Sequence, residues 1–513
     1  MRDLLDGCNT SCSHNTSSPF VPTRLIDVGH DASDFPRLVL PSDIRKYEET
    51  KYAALSYCWG DEKDAESQFK TEKASLEDRY VSLPSELMTA TTNDAIALTR
   101  AIGLRYIWID ALCIVQDDQN DWLRESSRMN LVYRHAFVTF CSLNSDSCHE
   151  SFLKRAPVVK VPFHSMIRKA IKGAFFIVLR PRTGIYIDRT KYTWDDALSK
   201  WGKRCWTFQE GEMSTRVLLF GSVRMHFYCA TNQWAGDRAR GGRLTLGVSD
   251  KLTRFNDNLI SVSEMYEYWD LLVQNYGDRS VTLEKDRLPA IAGLARMIGE
   301  TLEDRYLAGL WRGDLFRGLA WYSRSDSQSR GLEAHIWSIR ERNYVAPSWS
   351  WAASPGVAIM RYRGKCVLEE SAILHATTGT GLGDPYGQVT GGFIQICGKL
   401  VPMPRWLLTD RGTGWSNSWS HSMEDESSFI CIMTDWLHKD KEIGAENLVL
   451  MLLHCIELKD DTQAPWLRAL LLHPAGRPHD YYRVGLVHSE GHDAYRKMRA
   501  WFEESQGEVI YLI

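Results

Sequence analysis

The sequence predicts an α/β fold: a doubly wound parallel sheet, then a mainly helical region, then a C-terminal antiparallel β domain. Three observations predict it. Short apolar runs alternate with amphipathic helical stretches from residue 51 to residue 143, and strand–helix–strand–helix–strand implies parallel strands with helices on the sheet faces. In "DRLPAIAGLARMIGETL" (286–302), Leu288, Ile291, Ala295, Ile298 and Leu302 recur at steps of three and four, the mark of an amphipathic helix in a helical stretch over 250–325. From 344 onward, β-type runs such as "GGFIQICGKLV", "NLVLMLLHCIEL" and "GEVIYLI" are separated by turn residues.

The first strand is "KYAALSYCWGDE" (51–62), a buried run ending at the turn residue Gly60. The charged stretch 61–82 reads as loop or short helix. Pro84 suits a helical first turn, and behind it Leu87, Ala95, Leu98 and Ile102 share one face, with Gly103 as the stop. "RYIWIDALCIV" (105–115) is the second strand, apolar almost throughout as a strand covered on both faces must be, with Asp110 and Cys113 inside it. Asp117, Asp118 and Asp121 open the next helix, where acids oppose the dipole, and Trp122, Met129, Val132, Tyr133 and Ala136 form its apolar stripe. "HAFVTFCSL" (135–143) is the third strand. The second half of "RCWTFQEGEMSTRVLLFGSVRMHFYC" (204–229) reads as a hairpin meeting at Gly221–Ser222.

A chain of 513 residues exceeds one ordinary core. The division expected is an irregular N-terminal segment over 1–44, the α/β domain over 45–235 with an insertion at about 151–200, the helical region over 236–343 and the β-rich domain over 344–513. The net charge of −4 gives no bulk affinity for nucleic acid or anionic membrane. No apolar run approaches the length of a membrane span, and the N-terminus has no signal-type apolar core. Twelve cysteines without CxxC pairs fit a reducing, cytoplasmic setting. Cys8, Cys12 and His14 have loosely metal-like spacing but read as a polar tail, and no HExxH or paired-His motif calls for a metal. There is no GxGxxG or P-loop either. The 19 Trp residues cluster in motifs such as "APSWSWAASPG", whose "SWSWA" (348–352) is expected to pack between domains.

Several motifs then occur in a fixed order: "YAALSYCWGD" (52–61), "DAIALTRAIGLRYIWIDALCIVQDD" (94–118), "DWLRESSRMNLVYRHA" (121–136) and "RCWTFQE" (204–210), followed by "DRLPAIAGLA", "YLAGLW" and "YVAPSWSWA". Together they resemble the fungal heterokaryon-incompatibility (HET) domain and its usual downstream region, over about residues 45–355. The resemblance implies a role in self/non-self recognition and in programmed death of fused, incompatible fungal cells. It also implies a topology similar to the Toll/interleukin-1 receptor (TIR) domain. Some TIR domains hydrolyse NAD at the nicotinamide–ribose bond, using a Glu in a W-x-x-E-like setting that Trp122-Leu-Arg-Glu125 matches here.

That carry-over makes Glu125 the candidate catalytic residue. By helical spacing it shares a face with Trp122 and Met129, so its carboxylate either lines a cleft or is paired with Arg124, Arg128 or Arg100, since an unpaired buried charge is expensive. In a cleft it would steady an oxocarbenium-like ribose. Candidates for the nucleotide-binding rim are Ser56, Trp59, Gly60 and Asp61 after the first strand, Asp110, Trp122, and the late-motif pair Gln209 and Glu210. Each has a plainer reading: a strand-end turn for the first group, a hydrogen-bonded structural acid for Asp110, and a Glu210 pair with Arg204 or Arg216. Cys113 is either a nucleophile or an inert buried thiol. No permanently bound cofactor is expected, with NAD as the substrate. The alternative is a non-enzymatic module that acts by self-association or through a protein partner, using the helical and C-terminal regions.

Overall fold

The computed structural model describes residues 1–12, 20–31, 34–44, 50–154, 159–177, 199–222, 225–229, 233–235, 238–240, 247–323, 331–340, 344–354, 356–359, 364–368, 371–380, 383–409, 413–415, 418–423, 427–436, 445–458 and 465–513. His14 and most of the insertion beyond its hairpin lie outside these residues. The chain divides into two compact units, Met1–Thr253 and Arg254–Ile513. Among the described residues no helix is long and apolar enough to cross a membrane.

The N-terminal unit runs α1 (Arg2–Ser11), β1 (Leu25–Asp27), β2 (Arg37–Val39), β3 (Tyr52–Ser56), α2 (Glu62–Ser67), α3 (Leu76–Val81), α4 (Ala90–Ala101) and β4 (Tyr106–Trp108). It continues with α5 (Asp110–Cys113), α6 (Gln119–Ser126), α7 (Met129–His135), β5 (Val138–Ser142) and a hairpin of β6 (Val159–His164) and β7 (Lys172–Ile177). Then come α8 (Lys200–Lys203), α9 (Cys205–Met213), β8 (Arg216–Phe220), β9 (Met225–Cys229), β10 (Gln233–Ala235) and β11 (Arg238–Arg240). Nine strands form one mixed sheet in the order β11-β10-β9-β8-β5-β3-β4-β1-β2. Its core is parallel: β4, β3, β5 and β8 pair side by side in the same direction, and antiparallel strands flank them.

β3 and β5 are buried along their whole length, which their apolar sequences allow. The chain passes from β3 to β4 on one side, then crosses back over β3 to β5 on the other. Right-handed crossovers place the helices of two such connections on opposite faces. Two tyrosines tie α7 to the central strand: the Tyr52 hydroxyl donates to the Val132 carbonyl at 2.7 Å, and that of Tyr133 to Leu55 O at 3.1 Å.

Several expectations need correction. Residues 1–44 contain a helix and two strands, and Asp27 of β1 receives both fork nitrogens of Arg105 at 2.9 Å. The helix expected from Pro84 begins at Ala90, capped by Thr89; Pro84 sits in a preceding turn and Leu87 is exposed. Gly103, at φ +83°, does follow its end. The second strand stops at Trp108, and Asp110–Cys113 is a helical turn, because an apolar run of that length suits a buried turn as well as a strand. Asp110 and Cys113 therefore lie beyond the strand and not in it. The single helix expected over 121–136 is two, with a break at Ser127–Arg128, so Trp122 is not on the stripe of α7 and is exposed.

The C-terminal unit joins helices Val262–Gly277, Ala292–Leu302 and Leu332–Arg340 to a ten-stranded sheet. Ser261 and Glu264 form a capping box on the first helix. The sheet is antiparallel apart from a short parallel contact of Asp480 and Tyr481 with Tyr511 and Leu512. Its pairings close on themselves: 389–402 pairs with 449–458, then 466–474, then 480–490, then 507–512, which returns to 389–402. The "SWSWA" motif packs inside this unit. Trp349 and Trp351 are buried, and Trp351 and Trp269 both donate to the Gly309 carbonyl, at 2.8 and 2.9 Å. Gly309, at φ +102°, has no room for a Cβ, which would fall 2.4 Å from the Trp351 indole nitrogen.

Deep in the unit Arg483 pairs with Asp435 at 2.5 Å, donates to the Trp321 carbonyl and stacks on the Trp321 ring. Both charged residues are almost fully buried. Asp435→Ala strands the guanidinium without its counter-ion, and we expect a loss of about 3–5 kcal/mol, measured as a lower urea midpoint at unchanged slope.

Candidate active site

In an open α/β sheet a crevice opens beyond the carboxyl ends of the strands where the strand order reverses. Here that point lies between β3 and β5, and the polar side chains that follow β3 and β4 gather near it. Ser56, the last residue of β3, donates its hydroxyl to a carboxylate oxygen of Glu210 and accepts the indole N–H of Trp201 at 2.6 Å. Just beyond, Trp59 donates its indole N–H to Asp110 Oδ2 at 3.0 Å. Asp110 opens α5, and its other oxygen accepts the Ala111 N–H at 2.7 Å, which fixes the carboxylate. Arg204, at the start of α9, donates to the Tyr57 carbonyl at 3.1 Å and interacts electrostatically with Glu210 and Asp110. Six residues on, nearly two helical turns, α9 brings in Glu210.

The electrostatics follow from burial. Burial pushes the Glu210 carboxyl up to about 7; the negative Asp110 adds to the rise, while Ser56, Arg204 and Tyr133 hold it back. Burial also raises Asp110, against the Ala111 N–H, Trp59 and Arg204. Ser56 and Glu210 are buried, whereas Trp59, Asp110 and Arg204 are half-buried, so the cluster has an interior end and a rim. Chemically it offers a carboxyl poised between its charged and neutral forms, a second carboxylate, a cation and an aromatic face.

Ser56, Trp59, Asp110 and Glu210 are thus brought together. The other sequence candidates are placed differently. Asp61 caps α2, accepting the Asp64 N–H at 3.0 Å, and Gly60, at φ +101°, makes room for the Asp64 side chain. Gln209 is buried one position before Glu210, in a helix and not at the end of a β-like run. Trp122 is exposed on α6.

Glu125 is almost fully buried, 1 % exposed, and its Oε1 lies 3.2 Å from Arg124 Nε. Beside it Asp121 pairs with both Arg24 and Arg124 and accepts the Val115 N–H at 2.8 Å. The Arg124 pairing weighed from the sequence is therefore present. Glu125, Arg24 and Asp110 all act electrostatically on Cys113. Burial pushes the Cys113 thiol up to about 12, so it is not a thiolate near neutral pH.

Residues 52–210 match the family model described as Heterokaryon incompatibility protein (HET). This segment is similar to a HET domain. The match begins on β3 and ends on Glu210, so both ends of the buried cluster fall within it. The chain matches no curated protein and no solved structure.

Sequence reasoning missed Arg24, Asp121 as an ion-pair centre, and Trp201. Arg24 and Asp121 are separated by 97 positions, and nothing periodic links them. Trp201 stands three residues before the "RCWTFQE" motif without a signal of its own.

Because Glu210 titrates higher in the folded state than its ordinary 4.5, it favours folding fully below about 4.5, and that contribution is lost as pH rises through about 7. Glu210→Gln, which imitates the protonated form, should match the parent near pH 4.5 and be the more stable at pH 8, by up to about 3 kcal/mol. Urea unfolding of both proteins across that range measures it.

Proposed function

We propose that the HET domain is a hydrolase of NAD or a related nucleotide, cleaving the nicotinamide–ribose bond and so triggering cell death in a TIR-like manner. The observation that carries this is the buried Glu210 carboxyl beside Asp110 and Arg204 at the reversal of strand order. Loss of nicotinamide leaves positive charge on the ribose, and a carboxylate held in a low-dielectric site stabilises that charge strongly. Nicotinamide departs neutral, water adds to the ribose carbon, and the water's proton passes to the carboxylate and then to solvent. Arg204 suits the nucleotide phosphates and the half-buried Trp59 suits stacking on a ring.

This reading moves the reacting carboxylate from Glu125 to Glu210. Glu125 is enclosed with Arg124, Asp121 and Arg24, and in this reading it is a positioning residue that holds α6 beside the Asp110 turn. A second reading, a module acting by self-association, draws on the exposed Trp122.

Incubation of the purified full chain with NAD should release nicotinamide, with a rate that rises as pH climbs through about 7, because the ionised carboxylate is the active form. Glu210→Gln should lower the rate at least about 100-fold while the fold is retained by circular dichroism. Full activity in Glu210→Gln, with loss in a folded Glu125→Ala, would return the chemistry to Glu125. No NAD loss, together with toxicity on expression that depends on Trp122, would favour self-association.

A further inference from the structure

Away from the HET crevice, three cysteines converge where α1 lies against the sheet. Cys8 lies in the last turns of α1, and Cys12 caps the helix, its backbone N–H donating to the Cys8 carbonyl at 3.0 Å. Cys229 ends β9, directly opposite Arg216 on β8, so its side chain and that of Arg216 share a sheet face. The sulfurs of Cys8, Cys12 and Cys229 all lie within 4.8 Å of one another. Cys12 and Cys229 are 3.9 Å apart, sulfur to sulfur. That is about twice a disulfide bond of roughly 2.05 Å, and close to the ~3.8 Å between two thiolates that share a tetrahedral zinc at ~2.3 Å.

The surroundings do not suit three inert thiols. Arg216 is buried, stacks on Phe137 and aims its Nε at Cys8 Sγ at 3.3 Å. A guanidinium is a strong donor and a thiol a weak acceptor, so the pairing is matched when that sulfur is a thiolate. The hydrogen-bonding neighbour Cys229 and then burial oppose such a charge in the absence of a cation, pushing the Cys8 thiol up. A divalent ion at the centre removes the conflict. Three thiolates and one Zn²⁺ carry a net charge of −1, which the Arg216 guanidinium offsets.

We propose that Cys8, Cys12 and Cys229 form a thiolate site for one thiophilic metal ion, zinc in a reducing compartment. Binding displaces the three thiol protons to solvent, with no change in oxidation state and a fourth position open to water. The ion joins the end of α1 to β9, pinning the N-terminal helix to the sheet. The site lies outside the 52–210 match and does not depend on NAD chemistry. A second group, Cys431, His488 and Glu490 in the other unit, serves as the internal control.

The full chain, purified under reductant and equilibrated with zinc, should carry about one ion per chain by plasma mass spectrometry. Cys12→Ser and Cys229→Ser should each weaken zinc binding at least about tenfold, since even changes behind the ligands cost that much. Cobalt substitution of the unmodified chain should give the intense near-ultraviolet charge-transfer band of several thiolate ligands, a readout that survives if a variant fails to fold. The proposal is overturned by a cobalt spectrum without thiolate bands. It is equally overturned by metal content that persists in both variants but is lost in Cys431→Ser, or by a Cys12–Cys229 disulfide in protein whose thiols were blocked at lysis.

Discussion

A carboxylate withdrawn from water must be neutralised, paired or fully hydrogen-bonded, and the N-terminal unit meets that condition in two ways. On the α6 side, Glu125 and Asp121 are matched by Arg24 and Arg124, and the charges cancel within the cluster. On the β3 side, Glu210 and Asp110 face one guanidinium, that of Arg204, and the balance is completed by Ser56, Trp59, Tyr133 and a backbone N–H. The first arrangement is settled. The second leaves a carboxyl whose titration is pushed up to about 7, and the proposed function rests on that difference.

The parallel core explains why the second cluster stands where it does. β3 is central, so its carboxyl end is reached by the turn after β4 on one side and by Tyr133 of α7 on the other. α9 then returns after the long excursion past β5, carrying Arg204 and Glu210 back over the end of β3. Residues distant in sequence thus meet at the end of β3, above strands that are buried along their whole length.

Much of this was legible in the residues. The apolar runs within 51–62 and 135–143 read as buried strands, and the structure places strands inside both, at Tyr52–Ser56 and Val138–Ser142, the first stopping short of Gly60. Asp110 was visible as an acid in an apolar run, but that run does not say where a strand gives way to a helical turn. Trp122 was misplaced for a related reason: helical spacing was extended through Ser127–Arg128, where the helix breaks and the phase is lost. The Arg24–Asp121 pair was out of reach, since a contact between a terminal segment and a distant helix leaves no pattern in either. The β character of the C-terminal unit was plain from its alternating runs and turns. Its closure was not, because strand partners are chosen by packing and register.

That closure bears on how the C-terminal unit assembles. Segment 389–402 must meet 507–512 to complete the circuit of strands, across more than a hundred intervening residues. Ordering so long an intervening loop costs entropy before any contact compensates it. Until then the chain presents bare sheet margins, open to wrong partners. The segments 389–402 and 507–512 are therefore where nascent molecules are most exposed to clumping, and where a chaperone would gain most by holding on.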